Sequence, residues 1–291
     1  MIMFARANVY LKLARVSNLP TVWSNCIAGW VLGGGELGGL FSLAILILGS
    51  SLVYSAGMIM NDAVDVGFDS VHRPERPLPS GEISLTNAWG MAITLLGGGV
   101  VLLILAGASP GFSLLLAAMI VGYNVLHKRW KGGVFLMGGC RFLLYLVAAS
   151  VPADGGWFRE SVLIWAFALG IYTVGITLAA RGEAEDKRAG SVGVSMLTVP
   201  ALAALGTYFL RAESGILVMI FLIVWAGWTA YCVLLLLGDE EGRVSRAVGL
   251  LIAGMLLIDA VAIAAAYPLL SAVLIAMLPV VLMMQRRISA T

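Results

Sequence analysis

The chain has 291 residues, of which 60% are hydrophobic and 12% are charged, and its formal net charge is +2. A soluble domain carries about 25% charged residues, so this composition excludes an ordinary soluble protein. The small net charge gives no indication of nucleic-acid binding. Because no stretch reads as a linker or a separate soluble unit, we interpret residues 1–291 as one membrane domain.

Apolar segments follow one another along the whole chain. A membrane-spanning helix needs about 20 apolar residues, and the first segment lacks the features of a cleavable signal, so we expect it to remain as a helix. A last stretch, 247–284, fits either two short spans broken near Tyr267 and Pro268 or one span and a surface helix. The sequence predicts an all-α polytopic bundle of nine or ten transmembrane helices, whose earlier spans are 16–34, 40–60, 87–107, 111–126, 134–152, 161–180, 193–210 and 215–237.

Positive charge is concentrated on one side of the predicted bundle. Lys and Arg occur at the N-terminus and in the loop after every second segment, whereas the opposite loops contain only Arg159 and Arg211. Cytoplasmic loops collect Lys and Arg, so we place the N-terminus and the charged loops on the cytoplasmic side of the cell membrane. Arg286 and Arg287 fall on that side only with ten spans, so charge alone favours ten.

The second segment runs directly into an acidic cluster, Asn61-Asp62-Ala63-Val64-Asp65-Val66-Gly67-Phe68-Asp69. If the helix continues, Asp62, Asp65 and Asp69 are spaced i, i+3 and i+7 and share one face. Three like charges on one face repel one another unless a cation neutralises them. Carboxylate and amide oxygens suit Mg²⁺, which commonly bridges carboxylates to substrate phosphates. The cluster therefore predicts a Mg²⁺ site made by Asn61 and the three aspartates; a solvated acidic helix end is the alternative.

The loop that follows the cluster combines cations with helix-breaking residues. Arg73 and Arg76 carry guanidinium groups suited to phosphate oxygens, and three prolines and a glycine end the helix. The run Arg76-Pro77-Leu78-Pro79-Ser80-Gly81-Glu82-Ile83-Ser84, together with the acidic cluster, closely resembles the first Asp-rich motif of the UbiA superfamily of intramembrane prenyltransferases. Loop layout agrees too, so the resemblance covers nearly the whole chain. It implies nine helices around a central cavity that opens near the cytoplasmic face.

The resemblance also gives roles to polar residues in and beside the helices. Asn25 follows an Arg-x-x-x-x-Pro-Thr region similar to the family's N-terminus and resembles a family asparagine near the cavity. Tyr123 and Lys128 resemble a family Tyr followed by a Lys-Arg pair, and we expect them to meet a diphosphate oxygen; an aromatic and basic membrane anchor is the alternative. Arg141 lies inside the fifth segment, where a charge usually faces a cavity.

A second acidic motif lies in the loop after the sixth segment. The family pattern is D-x-x-x-D followed by a basic residue and a glycine, and Asp186 to Gly190 resembles its end. Gly182 stands where the first aspartate is expected. Glu183 is three residues from Asp186 and shares its helical face, so we expect these two to hold a second Mg²⁺, with Lys187 on the diphosphate. A solvated charged loop is the alternative.

The resemblance implies a Mg²⁺-dependent prenyltransferase with a prenyl diphosphate donor and a hydrophobic or aromatic acceptor in the lipid bilayer. Its predicted catalytic residues are Asp62, Asp65, Asp69, Lys128 and Asp186. Its predicted substrate-binding residues are Asn25, Asn61, Arg73, Tyr123, Lys128, Arg141 and Lys187.

Two other classes of function remain open. One is a UbiA-like protein without transferase activity that binds or transports isoprenoid lipids, which the altered second motif favours. The other is a transporter with an acidic cation site, although transporter sites lie near the bilayer midplane. Asp259 in the last apolar stretch fits a functional carboxylate and a partner for another polar group equally well.

Overall fold

The computed structural model describes residues 9–152, 155–184, 190–209, 215–238 and 242–288. The long regular elements in these ranges are helices. They are α1 (Leu19–Leu32), α2 (Leu40–His72), α3 (Leu85–Leu105), α4 (Pro110–Leu126), α5 (Gly133–Ala149), α6 (Glu160–Ala184), α7 (Ser191–Met196), α8 (Val199–Ala204), α9 (Ile216–Leu237), α10 (Arg243–Ala253), α11 (Met255–Ile263), α12 (Pro268–Ala276) and α13 (Leu278–Arg287).

Helix α1 lies at the centre of the bundle. It packs against α2, α5 and α11, and most of its residues are buried. A helix that is apolar on all sides needs neighbours on all sides. Gly29 allows the close approach of α5, because a Cβ at this position would lie 2.8 Å from the backbone oxygen of Tyr145. The polar residues of α1 are therefore enclosed by other helices.

Helix α2 has 33 residues and carries the acidic cluster on its last turns. The helix continues through Asn61–Asp69, as the spacing argument requires. It ends before Pro74, which disfavours helical geometry at Arg73. The following loop is anchored by the buried side chains of Leu78 and Ile83, and the Ser84 hydroxyl caps α3 by accepting a hydrogen bond from the backbone N–H of Asn87. This loop is thereby held against the acidic end of α2.

Seven helical stretches in the described ranges are long and apolar enough to cross a membrane, and three of them join consecutive helices: α7 with α8, α10 with α11, and α12 with α13. Helices α4 and α5 are apolar but shorter, with 17 residues each. The predicted break in the last apolar stretch is present, since α11 ends at Ile263 and α12 begins at Pro268. The all-helical, multi-pass fold is confirmed, and a total of nine or ten transmembrane helices stays a prediction.

Candidate functional site

The acidic end of α2 is the centre of the candidate site. The side chains of Asp62 and Asp69 are buried, and that of Asp65 is mostly covered. Asp62 and Asp69 stand two turns apart and both contact Arg76, whereas Asp65 contacts Lys128 and His127. The three aspartates therefore divide into a pair and a single residue, an arrangement that helical spacing alone does not reveal.

Two arginines neutralise the pair. The Nη1 of Arg76 lies 2.9 Å from Oδ2 of Asp69 and 3.4 Å from Oδ1 of Asp62. The Nη2 of Arg15 lies 3.2 Å from the same Asp62 oxygen. Arg15 has a φ of 45°, the one positive value among the described residues other than glycine. Such a conformation costs about 1–2 kcal/mol, so the surrounding contacts hold this arginine in a strained backbone geometry.

Asp65 contacts the loop that follows α4. The Nζ of Lys128 lies 2.6 Å from Oδ1 of Asp65, and Nε2 of His127 lies 3.4 Å from the same atom. Lys128 also lies over the ring of Phe68, 4.6 Å from its centroid. The hydrogen bond to Asp65 holds the pKa of His127 above its usual range, because it favours the charged imidazole. Asp65 and Lys128 are thus brought together, and His127 is a third member; neither contact was predicted from the sequence.

An apolar cavity of about 90 Å³ lies between α1, α2, α4 and α5. Tyr123 and Arg141 both line it. The Tyr123 ring stacks on His127 with centroids 5.1 Å apart, which joins the cavity to the Asp65 cluster. Asn25 does not line the cavity: it is fully buried behind Arg141 and accepts a hydrogen bond from its Nη1 at 2.5 Å. The structure therefore places Asn25 as a support for a cavity residue.

A second, polar cleft of about 460 Å³ opens beside Asp62. Arg73 is exposed there and forms no ion pair with any described residue. The cleft carries an excess of cations, and its charged lining residues are Lys12, Arg15, Arg73, Arg76 and Arg287 with Asp62 and Glu75. Arg73 thus lies with the Asp62–Asp69 pair, whereas Lys128 lies with Asp65.

The donor set at the end of α2 fits Mg²⁺ chemically. Asn61 and the three aspartates offer oxygen atoms alone, which a hard cation prefers. In the part of the chain that the structure describes, no three acidic, histidine or cysteine side chains converge on a point. The charges of the three aspartates are instead balanced by Arg15, Arg76 and Lys128. Metal coordination by these residues would require the cations to release the carboxylates.

The second acidic motif contributes less to the described site. Glu183 falls in the last turn of α6, and its side chain lies outside the description. Asp186 and Lys187 lie outside the described residues altogether. Their expected roles on a second Mg²⁺ and on diphosphate stay predictions.

Three residues near the acidic cluster were not among the predicted site residues: Arg15, Arg76 and His127. Arg15 is 47 residues from its partner Asp62, so no local spacing links them. Arg76 was recognised as a phosphate-type cation in the motif, but its pairing with two aspartates depends on the fold of the loop. His127 directly precedes Lys128 and could have been found from that adjacency.

The helices and this polar site define a multi-pass integral membrane protein with clustered charges at one end of an apolar bundle. Residues 21–239 match the UbiA prenyltransferase family. The match spans most of the chain, and the protein belongs to that family.

Comparison with known proteins adds relatives from archaea and bacteria. The chain is 34% identical over 156 residues to digeranylgeranylglyceryl phosphate synthase of Sulfolobus acidocaldarius, covering 53% of this chain and 54% of the relative. It is 32% identical over 178 residues to 4-hydroxybenzoate octaprenyltransferase of Paracidovorax citrulli, covering 56% and 59%. The chain thus spans somewhat more than half the length of these curated relatives.

Solved structures share the fold. A structure of digeranylgeranylglyceryl phosphate synthase superimposes with a TM-score of 0.65 at 21% identity, covering 91% of this chain and all of the other. A UbiA homologue from Archaeoglobus fulgidus, bound to GPP and Mg²⁺, gives a TM-score of 0.57 at 17% identity and covers 88% and 99%. At these identities the likeness establishes the architecture.

Proposed function

We propose that this protein transfers a prenyl group from a prenyl diphosphate to an acceptor within the membrane, in a Mg²⁺-dependent reaction. The observation that carries the proposal is the contact of Asp65 with Lys128 and His127 beside a cavity lined by Tyr123 and Arg141. This arrangement puts a carboxylate and a movable cation next to an apolar space. The UbiA homologue bound to GPP and Mg²⁺ supports the choice of donor and metal.

The proposed reaction begins with heterolysis of the allylic C–O bond of the donor. The electron pair of that bond leaves with the diphosphate, whose negative charge therefore increases in the transition state. Cations aimed at this developing charge stabilise the transition state more than the ground state. Mg²⁺, when bound by Asn61, Asp62, Asp65 and Asp69, would supply further positive charge for the leaving group.

Side chains of this protein bind the diphosphate and exclude water from the reaction. The side chain of Lys128 is 43% exposed, so its ammonium group can leave Asp65 and bind a diphosphate oxygen. Arg73 is free to act on the same group from the polar cleft, and Tyr123 can donate its hydroxyl hydrogen bond. The apolar cavity excludes water from the allylic cation. The acceptor then forms a bond to that cation and loses a proton.

The remaining parts of the proposal rest on the sequence analysis. Glu183 and Asp186 hold a second Mg²⁺, and Lys187 contacts the diphosphate. Residues 1–291 form one domain of nine or ten transmembrane helices in the cell membrane, and the acidic end of α2 faces the cytoplasm. The matched relatives are named for a glycerol phosphate product and for a hydroxybenzoate reaction, so the acceptor is either a lipid phosphate or an aromatic acid.

The direct test is Mg²⁺-dependent release of diphosphate by the purified protein, with a panel of prenyl diphosphates of increasing chain length. Asp65→Asn should lower the rate by about 100-fold or more, the loss typical of removing a major transition-state contact. Glu82→Gln, at an exposed acid on the neighbouring loop, is the control and should keep the rate. If no donor is turned over but prenyl diphosphates still bind, the protein is a lipid-binding or transport member of the family.

A further inference from the structure

Asp259 is a carboxylate buried in the middle of the helix bundle. It lies on α11 with no solvent exposure, where an uncompensated charge is strongly unfavourable. Oδ2 of Asp259 accepts hydrogen bonds from the Ser24 hydroxyl at 2.5 Å and from Nδ2 of Asn25 at 2.6 Å. Oδ1 accepts a short hydrogen bond from the Tyr145 hydroxyl. Three donors from α1 and α5 thus converge on one carboxylate of α11.

The side-chain amide of Asn25 connects this carboxylate to Arg141. The Nδ2 end donates to Asp259, and the Oδ1 end accepts from Nη1 of Arg141 at 2.5 Å. An amide has one donating end and one accepting end. The reverse orientation would set two oxygens against each other at Asp259 and two donors against each other at Arg141. Asp259 therefore determines which end of Asn25 faces the arginine.

Arg141 is held by this amide and by one other residue. Its Nη2 donates to the Thr21 hydroxyl at 3.1 Å, and its Nη1 also approaches the Thr21 backbone oxygen at 3.4 Å. The guanidinium lies over the Tyr54 ring, 5.9 Å from the centroid, and borders the apolar cavity. Among the described residues, none accepts a hydrogen bond from Nε of Arg141.

We propose that Asp259 is a positioning residue: it is the counter-charge of Arg141, acts through the Asn25 amide, and fixes the guanidinium at the cavity wall. This extends the proposed function, on which it rests for the substrate-binding role of Arg141. Opposite charges in a low-dielectric interior interact strongly even across an intervening amide. The competing explanation is that Asp259 only ties α1, α5 and α11 together by hydrogen bonds.

A charge-balance experiment on stability separates the two explanations without any need for activity. The thermal unfolding midpoint is measured in detergent for Asp259→Asn, Arg141→Gln and the double variant. Each single change leaves one uncompensated charge in the bundle, and we expect the midpoint to fall by about 5–10 °C. The double variant removes both charges, so its midpoint should be no lower than that of the less stable single variant. Additive losses would overturn the proposal.

Tyr145→Phe serves as the matched control, because it removes one hydrogen bond from the same carboxylate and leaves both charges in place. Its loss of stability should persist unchanged when Arg141→Gln is added. If Asp259→Asn alone does not yield folded protein, recovery of folded protein in the double variant gives the expected result. A double variant that fails to fold while Arg141→Gln folds contradicts the proposal.

Steady-state kinetics test the positioning role in the active protein. Arg141→Gln identifies the substrate whose KM depends on this arginine. For that substrate, Asp259→Asn should raise the KM by about tenfold, with a smaller change in kcat. In the Arg141→Gln background the same substitution should leave that KM unchanged, and Tyr145→Phe should leave it unchanged in either background. A further rise of KM in the Arg141→Gln background would contradict action through Arg141. Absence of turnover in the wild-type protein would instead contradict the proposed function, while the stability result would stand.

Discussion

Arg76 donates from Nη1 to Oδ2 of Asp69 at 2.9 Å, and both side chains are largely buried. The same nitrogen lies 3.4 Å from Asp62, so one guanidinium holds two carboxylates that would otherwise repel each other. Removing one member of a buried pair costs about 3–5 kcal/mol, because the remaining charge is left without compensation. The acidic end of α2 thus depends on a cation, supplied here by the protein itself.

The first prediction concerns this dependence. Arg76→Gln should lower the unfolding midpoint of the chelator-treated protein markedly, and Mg²⁺ should then raise that midpoint more than it does in the wild type. The reason is that a metal ion at Asp62 and Asp69 no longer competes with the guanidinium. Arg129→Gln, at an exposed arginine, should change neither value. Equal Mg²⁺ stabilisation of wild type and Arg76→Gln would show that the metal does not use these two carboxylates.

The second prediction concerns Lys128. Lys128→Gln should reduce kcat/KM for the prenyl diphosphate by about 10- to 100-fold, since a point charge on the leaving group is lost. Lys131→Gln removes a positive charge from the same loop at an exposed position and should leave kcat/KM nearly unchanged. The two variants are compared at saturating Mg²⁺. Equal losses in both would indicate a general electrostatic effect of the loop.

The all-helical, multi-pass class of the fold was predictable because the length of an apolar segment is a local property of the sequence. The spans and the break before Pro268 depend on stretches of about 20 residues, which a sequence displays directly. The shared face of the three carboxylates was predicted on the condition that α2 continues through Asp69, and the helix meets that condition before the proline-rich loop ends it. These features need no knowledge of which helix packs against which.

The pairing of charges was not predictable, since it depends on contacts between distant segments. Spacing placed Asp62, Asp65 and Asp69 on one face, but their division follows from Arg15, Arg76 and Lys128, which come from three other segments. Asn25 was expected at the cavity, and the packing of α1 against α5 and α11 places it behind Arg141 instead. The sequence left two explanations open for Asp259, because the residues that donate hydrogen bonds to it are more than 100 positions away in the chain.

The third prediction concerns pH. The pKa of His127 is raised by its contact with Asp65, so the charged imidazole stabilises the folded state. This contribution is fully present below the usual histidine pKa of about 6.5 and is lost as the pH rises through the raised value. In metal-free protein, the difference between the unfolding midpoints of wild type and His127→Gln should therefore shrink from pH 6 to pH 8.5. A pH-independent difference would rule out a charged His127–Asp65 contact.

The fourth prediction concerns the second acidic motif, where Gly182 stands at the position of the family's first aspartate. If Glu183 replaces that aspartate, Glu183→Gln should lower Mg²⁺-dependent diphosphate release by about 100-fold or more and raise the Mg²⁺ concentration needed for half-maximal rate. Adding Gly182→Asp to this variant restores a carboxylate four residues before Asp186, which is the spacing of the family pattern. The double variant should recover a large part of the rate. Full activity of Glu183→Gln alone would show that Asp186 serves without Glu183, because the rate then needs no second carboxylate in this motif.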